Sequence, residues 1–331
     1  MALFDLHKRR INYLRISVTD RCNLRCLYCV PDRERSFLSR EEILRYEEIL
    51  RVASFAVREG ITKIRITGGE PLIRRGVVDL IARLHRIPGL VEISLTTNGI
   101  RLKDLARPLY LAGVRRINIS LDTLNPKRFR RITRQGAIDE VFAGIAAAEA
   151  EGFFPIKLNM VVMKGVNDHE IPEFVRLARE SPYHIRFVEL MPMGLCPVPR
   201  HSFLPATEIL DAVRSHADIS PVPPHPYEGP AVRYRIQGGK GEIGIISPLS
   251  NHFCGSCNRL RLTADGHLRS CLFSDREIHL KPALRNGRDN AAIEKQLKIL
   301  FQQALHAKPA GHMIRSDDSA GLARTMTAIG G

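Results

Sequence analysis

The sequence predicts an α/β protein built on a parallel sheet, followed by a smaller cysteine-bearing region. Three observations carry this. Six short β-branched runs alternate with five helical patterns between residues 13 and 190. The first four runs end in residues suited to chemistry: a cysteine group, Gly68-Gly69, Asn98-Gly99 and Asp122. After residue 190 the chain turns proline-rich and then presents a second cysteine group. Repeated β–α units favour parallel strands joined by right-handed crossovers.

Composition bounds the answer. The chain has 331 residues, 44% hydrophobic and 26% charged, an ordinary globular balance. That length suits one large α/β domain, expected over residues 1–220, and a smaller one over 221–331. No run approaches the roughly 18 apolar residues of a membrane span, so no membrane partner is expected. Residues 1–10 lack the apolar core of a secretory signal, and a cytoplasmic location is expected. Thiols stay reduced there, and clustered cysteines are more often metal ligands than disulfides. The net charge of +15 raises nucleic-acid binding as a first thought. The basic residues, however, are spread along the chain, the aromatic content is 6% and there is no Trp. A base-stacking surface is poorly supplied, so no nucleic-acid partner is expected. A solvated basic surface accounts for most of the charge, and a pocket for a polyanionic small molecule for the rest.

The elements follow in order. Strand candidates cover 13–19, 61–67, 91–97, 114–121, 156–163 and 185–190, each rich in Val, Ile and Thr. Helical patterns cover 40–59, 77–86, 102–111, 140–151 and 170–180. The first has a start signal in Ser39 with Glu42 three residues on, and Gly60 follows its end. Pattern alone leaves open a doubly wound sheet or a barrel-like one. A G-x-G-x-x-G after the first strand is absent, which weakens a dinucleotide reading. In barrel folds chemistry sits at the carboxyl ends of strands, where the unusual residues lie here. Residues 191–230 read as a linker or wrapped loop, 231–246 as a hairpin with Gly238-Gly239 at its turn, and 295–306 as a helix.

Six of the seven cysteines form two triplets, Cys22, Cys26, Cys29 and Cys254, Cys257, Cys271; Cys196 stands apart. That is a poor disulfide framework. A structural zinc ion takes four protein ligands, whereas an iron–sulfur cube held by three thiolates leaves one iron open to a small molecule. His252 and His267 keep a Cys3His zinc site possible at the second triplet. In Thr67-Gly68-Gly69-Glu70-Pro71, two glycines let backbone approach a ligand closely and Glu70 offers a carboxylate.

The stretch Asp20-Arg21-Cys22-Asn23-Leu24-Arg25-Cys26-Leu27-Tyr28-Cys29-Val30-Pro31 resembles the cluster loop of the radical S-adenosylmethionine enzymes. Phe253-Cys254-Gly255-Ser256-Cys257-Asn258-Arg259-Leu260-Arg261, continuing to Cys271-Leu272-Phe273, resembles the second-cluster motif of the GTP 3′,8-cyclase family. The resemblance runs from Arg15 to Gly331. It implies a partial (β/α)6 TIM-like barrel of the radical S-adenosylmethionine type with a C-terminal second-cluster domain. It implies two [4Fe–4S] clusters as cofactors, one on Cys22, Cys26 and Cys29 and one on Cys254, Cys257 and Cys271, with S-adenosylmethionine on the first. Tyr28, Gly69, Ser120 and Met191 match residues around S-adenosylmethionine, and the Gly-Gly-Glu turn matches the element that holds its amino group. Arg15, Arg65, Thr96, Lys157, Arg259 and Arg261 match residues that hold GTP; Arg186 is added because strand alternation points it into the same cavity. Arg259 and Arg261 are also expected to be needed for turnover.

The implied reaction is cyclisation of GTP to (8S)-3′,8-cyclo-7,8-dihydroguanosine 5′-triphosphate, the first step of molybdenum cofactor biosynthesis. In it a 5′-deoxyadenosyl radical takes a hydrogen from ribose C3′. Implied partners are a flavodoxin- or ferredoxin-like one-electron reductant, a downstream cyclic pyranopterin monophosphate synthase and a second copy of the chain in a homodimer. The Gly330-Gly331 tail is implied to reach the active site, and Cys196 reads as an ordinary thiol. Two rivals stand beside this reading: a peptide-modifying radical S-adenosylmethionine enzyme with an auxiliary cluster, and a zinc-containing nucleic-acid-binding protein. Arg259 and Arg261, directly after the second C-x2-C, favour the cyclase.

Overall fold

A computed structural model describes residues 2–30, 37–193, 198–223, 229–286, 289–314 and 324–330. A short antiparallel ribbon, β1 (Leu3–Phe4) with β2 (Arg10–Ile11), opens the chain. The β–α units follow: β3 (Tyr13–Ser17), α1 (Tyr46–Glu59), β4 (Lys63–Thr67), α2 (Val77–His85), β5 (Glu92–Thr97), α3 (Leu102–Leu111) and β6 (Arg116–Ser120). Then come α4 (Pro126–Thr133), α5 (Ile138–Ala150), β7 (Ile156–Val162), α6 (Ile171–Glu180) and β8 (His184–Glu189). Strands β3 to β8 are all parallel and lie side by side in chain order. A doubly wound sheet reverses its order at a switch point. This one does not, so it winds in the barrel sense, as the six-unit reading expected.

The rest of the chain contributes α7 (Ala206–Arg214), β9 (Ile219–Val222), β10 (Val232–Ile236), β11 (Glu242–Ile246), β12 (Arg259–Leu262), β13 (His267–Arg269), β14 (Glu277–His279), α8 (Lys281–Asn286), α9 (Asn290–His306) and α10 (Met326–Ile329). Strand β11 adds parallel to β8, and β12 adds parallel to β3. Chain from one late region thus covers both edges of the core sheet, which leaves neither edge open for pairing with another molecule.

Alternation along the strands sorts the two faces. Leu14, Ile16, Ile64, Ile66, Ile93, Leu95, Ile117, Ile119, Leu158, Met160, Ile185 and Phe187 are buried in one continuous apolar cluster with the helices. The residues between them, among them Arg15, Arg65, Thr96, Ser120, Asn159 and Arg186, face a cavity on the other side. The outer face supplies the folding energy, so the inner face is released for polar groups.

Several expectations need correction. The Ser39–Glu42 pair does form reciprocally, Ser39 N donating to Glu42 Oε2 at 2.8 Å and Glu42 N to Ser39 Oγ at 3.3 Å. It closes only one turn, and α1 starts at Tyr46, where Glu48 Oε2 accepts from Arg45 N at 2.6 Å. Residues 191–230 are not wholly linker: they hold α7 and β9, whose short apolar pattern was hidden among prolines. Helix α4 went unread because five of its twelve surrounding residues, 125–136, are basic; its signal is Asn125, whose side chain accepts from Arg128 N at 3.0 Å, with Pro126 at the first position. The hairpin at 231–246 forms as β10 and β11. No described helix is long and apolar enough to cross a membrane.

Helix α9 locks the C-terminal region onto α1 through Phe301, which is fully buried and meets Phe55 edge to face at 5.1 Å. Phe301→Ala is expected to cost about 3–5 kcal/mol. Comparative urea unfolding checks this; a loss under about 1 kcal/mol would mean the two regions are not packed through this ring.

Candidate active site

The first triplet lies in the loop after β3. Its backbone hangs on the end of α4: Arg25 N donates to Thr133 O at 3.0 Å and Leu27 N to Ile132 O at 2.9 Å. Cys29 N donates to Cys26 O at 2.9 Å, which folds the last two cysteines into one turn. The turn after β4 presses against this loop. Gly69 N donates to Thr19 O at 2.6 Å, and a Cβ on Gly69 would lie 2.2 Å from Arg21 O. Only glycine fits there.

Glu70 lines the cavity, but its carboxylate is already engaged. Its carboxylate accepts from Leu72 N at 3.0 Å, Thr97 Oγ1 at 2.7 Å and Asn98 N at 2.7 Å. Burial pushes its acid up to about 7. It ties the β4 and β5 ends together beneath the cysteine loop. Tyr28 is anchored in the same way: its hydroxyl donates to Asp122 Oδ2 at 2.7 Å, and Asp122 Oδ1 accepts from Val161 N at 2.9 Å. Burial pushes Asp122 up to about 6.

Burial also pushes the Cys22 thiol up to about 11 and the Cys26 thiol well above its usual range, with Cys29 and Asp122 adding to the latter. Such thiols become thiolates only against a cation. At the second triplet, burial works upward on Cys257, but the charges of Arg259 and Lys308 outweigh it and bring the thiol down to about 7.

Both triplets open on one cavity of about 320 Å³. Cys22, Cys26, Cys29, Cys254, Cys257 and Cys271 all line it, as do Tyr28, Gly69, Thr96, Ser120, Met191, Arg15, Arg65, Arg186, Arg259 and Arg261. Lys157 does not. It is two residues before Asn159 on the same strand face, one layer deeper, where burial and Arg186 bring it down to about 6. Arg261, Arg15 and Arg65 stand in register on β12, β3 and β4, so three arginines line up across adjacent strands. Burial, then Arg261, lowers Arg15; burial, then Arg259, brings Arg261 down to about 10. Among the described lining residues the only carboxylate is Glu70, already used. The cavity is therefore strongly cationic. Thr96 Oγ1 and Asn159 Oδ1 are buried at its wall with no hydrogen-bond partner among the described residues. The tail enters here too: Gly330 O accepts from Arg261 Nη1 at 2.9 Å.

Comparison with known proteins bears on this arrangement. The model of the Radical SAM superfamily matches residues 16–178, and that described as Molybdenum Cofactor Synthesis C matches residues 183–314. A Moorella thermoacetica protein named GTP 3′,8-cyclase is 51% identical over 99% of both chains. A Thermodesulfovibrio yellowstonii protein of the same name is 47% identical over 99% of both, and one from Geobacter sulfurreducens is 46% identical over 100% of both. The chain belongs to the GTP 3′,8-cyclase family. Among solved structures, Streptococcus suis SuiB bound to precursor peptide SuiA aligns with TM-score 0.61 and 14% identity, covering 95% of this chain and 70% of that one; it shares the fold.

The GTP 3′,8-cyclase family works with S-adenosylmethionine and iron–sulfur clusters, and the residues here fit both. Two triplets of thiols face one cavity, and orphaned polar atoms at its wall await a ligand. Among the described residues no three His, Cys, Asp or Glu side chains converge on the point a single ion would occupy. A cube needs no such point, because each thiolate binds its own iron. His267 is engaged elsewhere, stacked on His279 at 4.3 Å with Nδ1 3.1 Å from Asp265 Oδ2. His252 does line the cavity, edge-on to His312. Cys196 lies outside the described residues.

Sequence reasoning missed Lys308 and His312 at this site, and marked Asn98 only as part of an unusual strand end, without a role. Asn98 Nδ2 donates to Asn23 Oδ1 at 2.8 Å and braces the first cysteine loop. The Asn98-Gly99 strand end was the available signal; Lys308 and His312 had none, since contact across more than fifty residues is not periodic.

Gly69→Ala tests the tight apposition at the first triplet. We expect iron to fall from about eight to about four per chain after anaerobic reconstitution, as one of two cubes is lost. Retention of both clusters would show that the turn and the loop separate freely.

Proposed function

We propose that this chain is a radical S-adenosylmethionine cyclase that converts GTP to (8S)-3′,8-cyclo-7,8-dihydroguanosine 5′-triphosphate, the first step of molybdenum cofactor synthesis. The observation that carries the reading is the row Arg261, Arg15 and Arg65, in register and facing a cavity between two cysteine triplets. Like charges directly opposed across a sheet destabilise it. A triphosphate removes that cost, and guanidinium groups grip phosphate in forked pairs. The full-length relatives named GTP 3′,8-cyclase support the same substrate.

We assign the roles that the resemblance implies. Cys22, Cys26 and Cys29 would hold one cluster, with Tyr28, Gly69, Ser120 and Met191 around S-adenosylmethionine. Cys254, Cys257 and Cys271 would hold the second, with Arg259 and Arg261 beside it for the nucleotide. Arg15, Arg65, Thr96 and Arg186 complete the nucleotide wall, and Lys157 acts from the layer beneath. When bound, the clusters and S-adenosylmethionine supply one-electron radical chemistry. The protein's part is to orient the ribose, neutralise the phosphates and exclude water. Residues 1–220 would form the radical-generating unit and 221–331 the unit that carries the second cluster. The chemistry requires an external one-electron donor, which we assign to the flavodoxin or ferredoxin type. A cytoplasm-like reducing compartment suits the thiolate ligands, and a downstream synthase would consume the cyclised nucleotide.

Anaerobic reconstitution followed by incubation with GTP, S-adenosylmethionine and a strong reductant tests the reading. We expect about eight irons per chain and 5′-deoxyadenosine formed only when GTP is present. Cleavage indifferent to GTP would move the substrate to a peptide or another class, and a colourless zinc protein would overturn the radical assignment.

Lys157 gives a second test. With its ammonium form disfavoured to about 6 by burial and Arg186, it is neutral at physiological pH in the free protein. A nearby triphosphate favours the charged form, so binding takes up a proton and weakens as pH rises above that value. Calorimetry in two buffers of different ionisation enthalpy should show uptake of about one proton that Lys157→Gln abolishes. Equal uptake in both proteins would remove Lys157 from the nucleotide site.

A further inference from the structure

Residues 307–312 cross the second triplet as a strap, and one side chain bolts the strap to the cysteine peptide. Arg9 Nη1 donates to Cys254 O at 2.7 Å and to Ala310 O at 3.1 Å, while its Nη2 donates to Pro309 O at 2.6 Å. Arg9 is itself fixed by Asp5, Nε to Oδ2 at 2.5 Å. The N-terminal ribbon thereby acquires a purpose that its two-residue strands do not suggest.

Lys308 points inward from this strap and is 3% exposed. Its Nζ donates to Arg259 O at 2.8 Å, to Ser270 O at 2.7 Å and to Cys257 Sγ at 3.4 Å. None of these acceptors is a carboxylate. A buried ammonium is costly unless an anion faces it. Two of the acceptors are carbonyls and offer dipoles only. The Cys257 sulfur is the one that becomes an anion, and a thiol bound to iron is deprotonated.

We propose that Lys308 is a positioning residue of the second iron–sulfur site: its ammonium holds the Cys257 thiolate through an N–H···S bond and raises the reduction potential of the cluster bound there. This rests on the reading of Cys254, Cys257 and Cys271 as cluster ligands. Reduction adds one negative charge to the cluster. A fixed positive charge in hydrogen-bond contact with a ligand sulfur, shielded from water, stabilises that added charge with little screening. The strap matters because it prevents the lysine from swinging out to solvent: Pro309 and Ala310, the two residues after it, are pinned by Arg9.

The test is a redox titration of the anaerobically reconstituted full chain, followed by electron paramagnetic resonance, in wild type, Lys308→Met and Lys308→Arg. S-adenosylmethionine, which perturbs the signal of the first cluster, assigns the two. In Lys308→Met we expect the reduced-to-oxidised ratio of the second cluster to fall at least tenfold at fixed potential, about 59 mV for a one-electron couple. The first cluster should not move, and Lys308→Arg should restore most of the difference. An unchanged second-cluster midpoint in Lys308→Met, or an equal shift of both clusters, would overturn the proposal. If Lys308→Met fails to retain the second cluster, Lys308→Gln against Lys308→Arg decides: a lower potential in Gln supports the charge, and equal potentials overturn it. Iron analysis separates this from the underlying reading, since a wild-type chain holding only about four irons would remove the second site itself.

Discussion

Crowding of like charge on the inner face of the sheet is the constraint on which the rest of this molecule depends. Arg15, Arg65, Arg186, Arg259 and Arg261 face one cavity, and no free carboxylate lines it among the described residues. Removing several guanidinium groups from water beside one another opposes folding. The fold tolerates this because the other face of every core strand is apolar and buried against the helices. Each strand thus divides its labour residue by residue: Leu14 and Ile16 stabilise, and Arg15 between them serves the site. A helix could not make this division so sharply, because its side chains spread around an axis and do not alternate between two faces.

The same constraint explains why the late part of the chain returns to both edges of the sheet. The first cysteine loop lies after β3, at one side of the cavity. The second metal-binding group meets it by approaching along the same edge. Strand β12 does so by adding parallel to β3, with Arg259 opposite Tyr13 and Arg261 opposite Arg15. That register carries Cys257 to the wall of the cavity and, in the same step, completes the arginine row. One strand pairing therefore places both the cysteine group and the charge it faces.

Much of the core was legible in the sequence, and for a physical reason. Six β-branched runs with polar strand ends follow from local periodicity, and the two cysteine triplets from spacing. The elements that were not legible obey other rules. Helix α4 depends on a cap and a proline more than on an apolar stripe. Helix α7 sits in proline-rich chain, and its core residues Ile209 and Val213 are too few to give a clear period. The site was legible in its cysteines and in most of its arginines, since these are unusual residues at strand ends. Glu70 was legible as a carboxylate beside the cavity, but not the three donors that occupy it, one from its own turn and two from the end of β5. Lys308 and Arg9 could not be read at all: each is an ordinary basic residue until folding brings it to the second triplet.

The tail shows how the cationic face is kept in order before any polyanion arrives. Gly330 sits at φ 86°, and a Cβ there would lie 2.7 Å from both Ser17 Cβ and Thr67 Oγ1. Glycine is required on both counts, so the closeness of the tail to β3 and β4 is built into its sequence. Its carbonyl accepts one N–H of Arg261 at 2.9 Å. A guanidinium carries about five N–H donors in one rigid plane. Spending one on the tail fixes that plane and leaves the others aimed as a set. Arg324, at the start of the described tail, is itself held by Asp265 Oδ2 at 2.9 Å and Glu277 Oε2 at 2.8 Å, so the carbonyl that orients Arg261 is anchored at its far end. A neutral acceptor suits this task better than a carboxylate would. It orients the arginine without neutralising it, and the charge stays available for a phosphate, which binds a guanidinium more strongly than a carbonyl does.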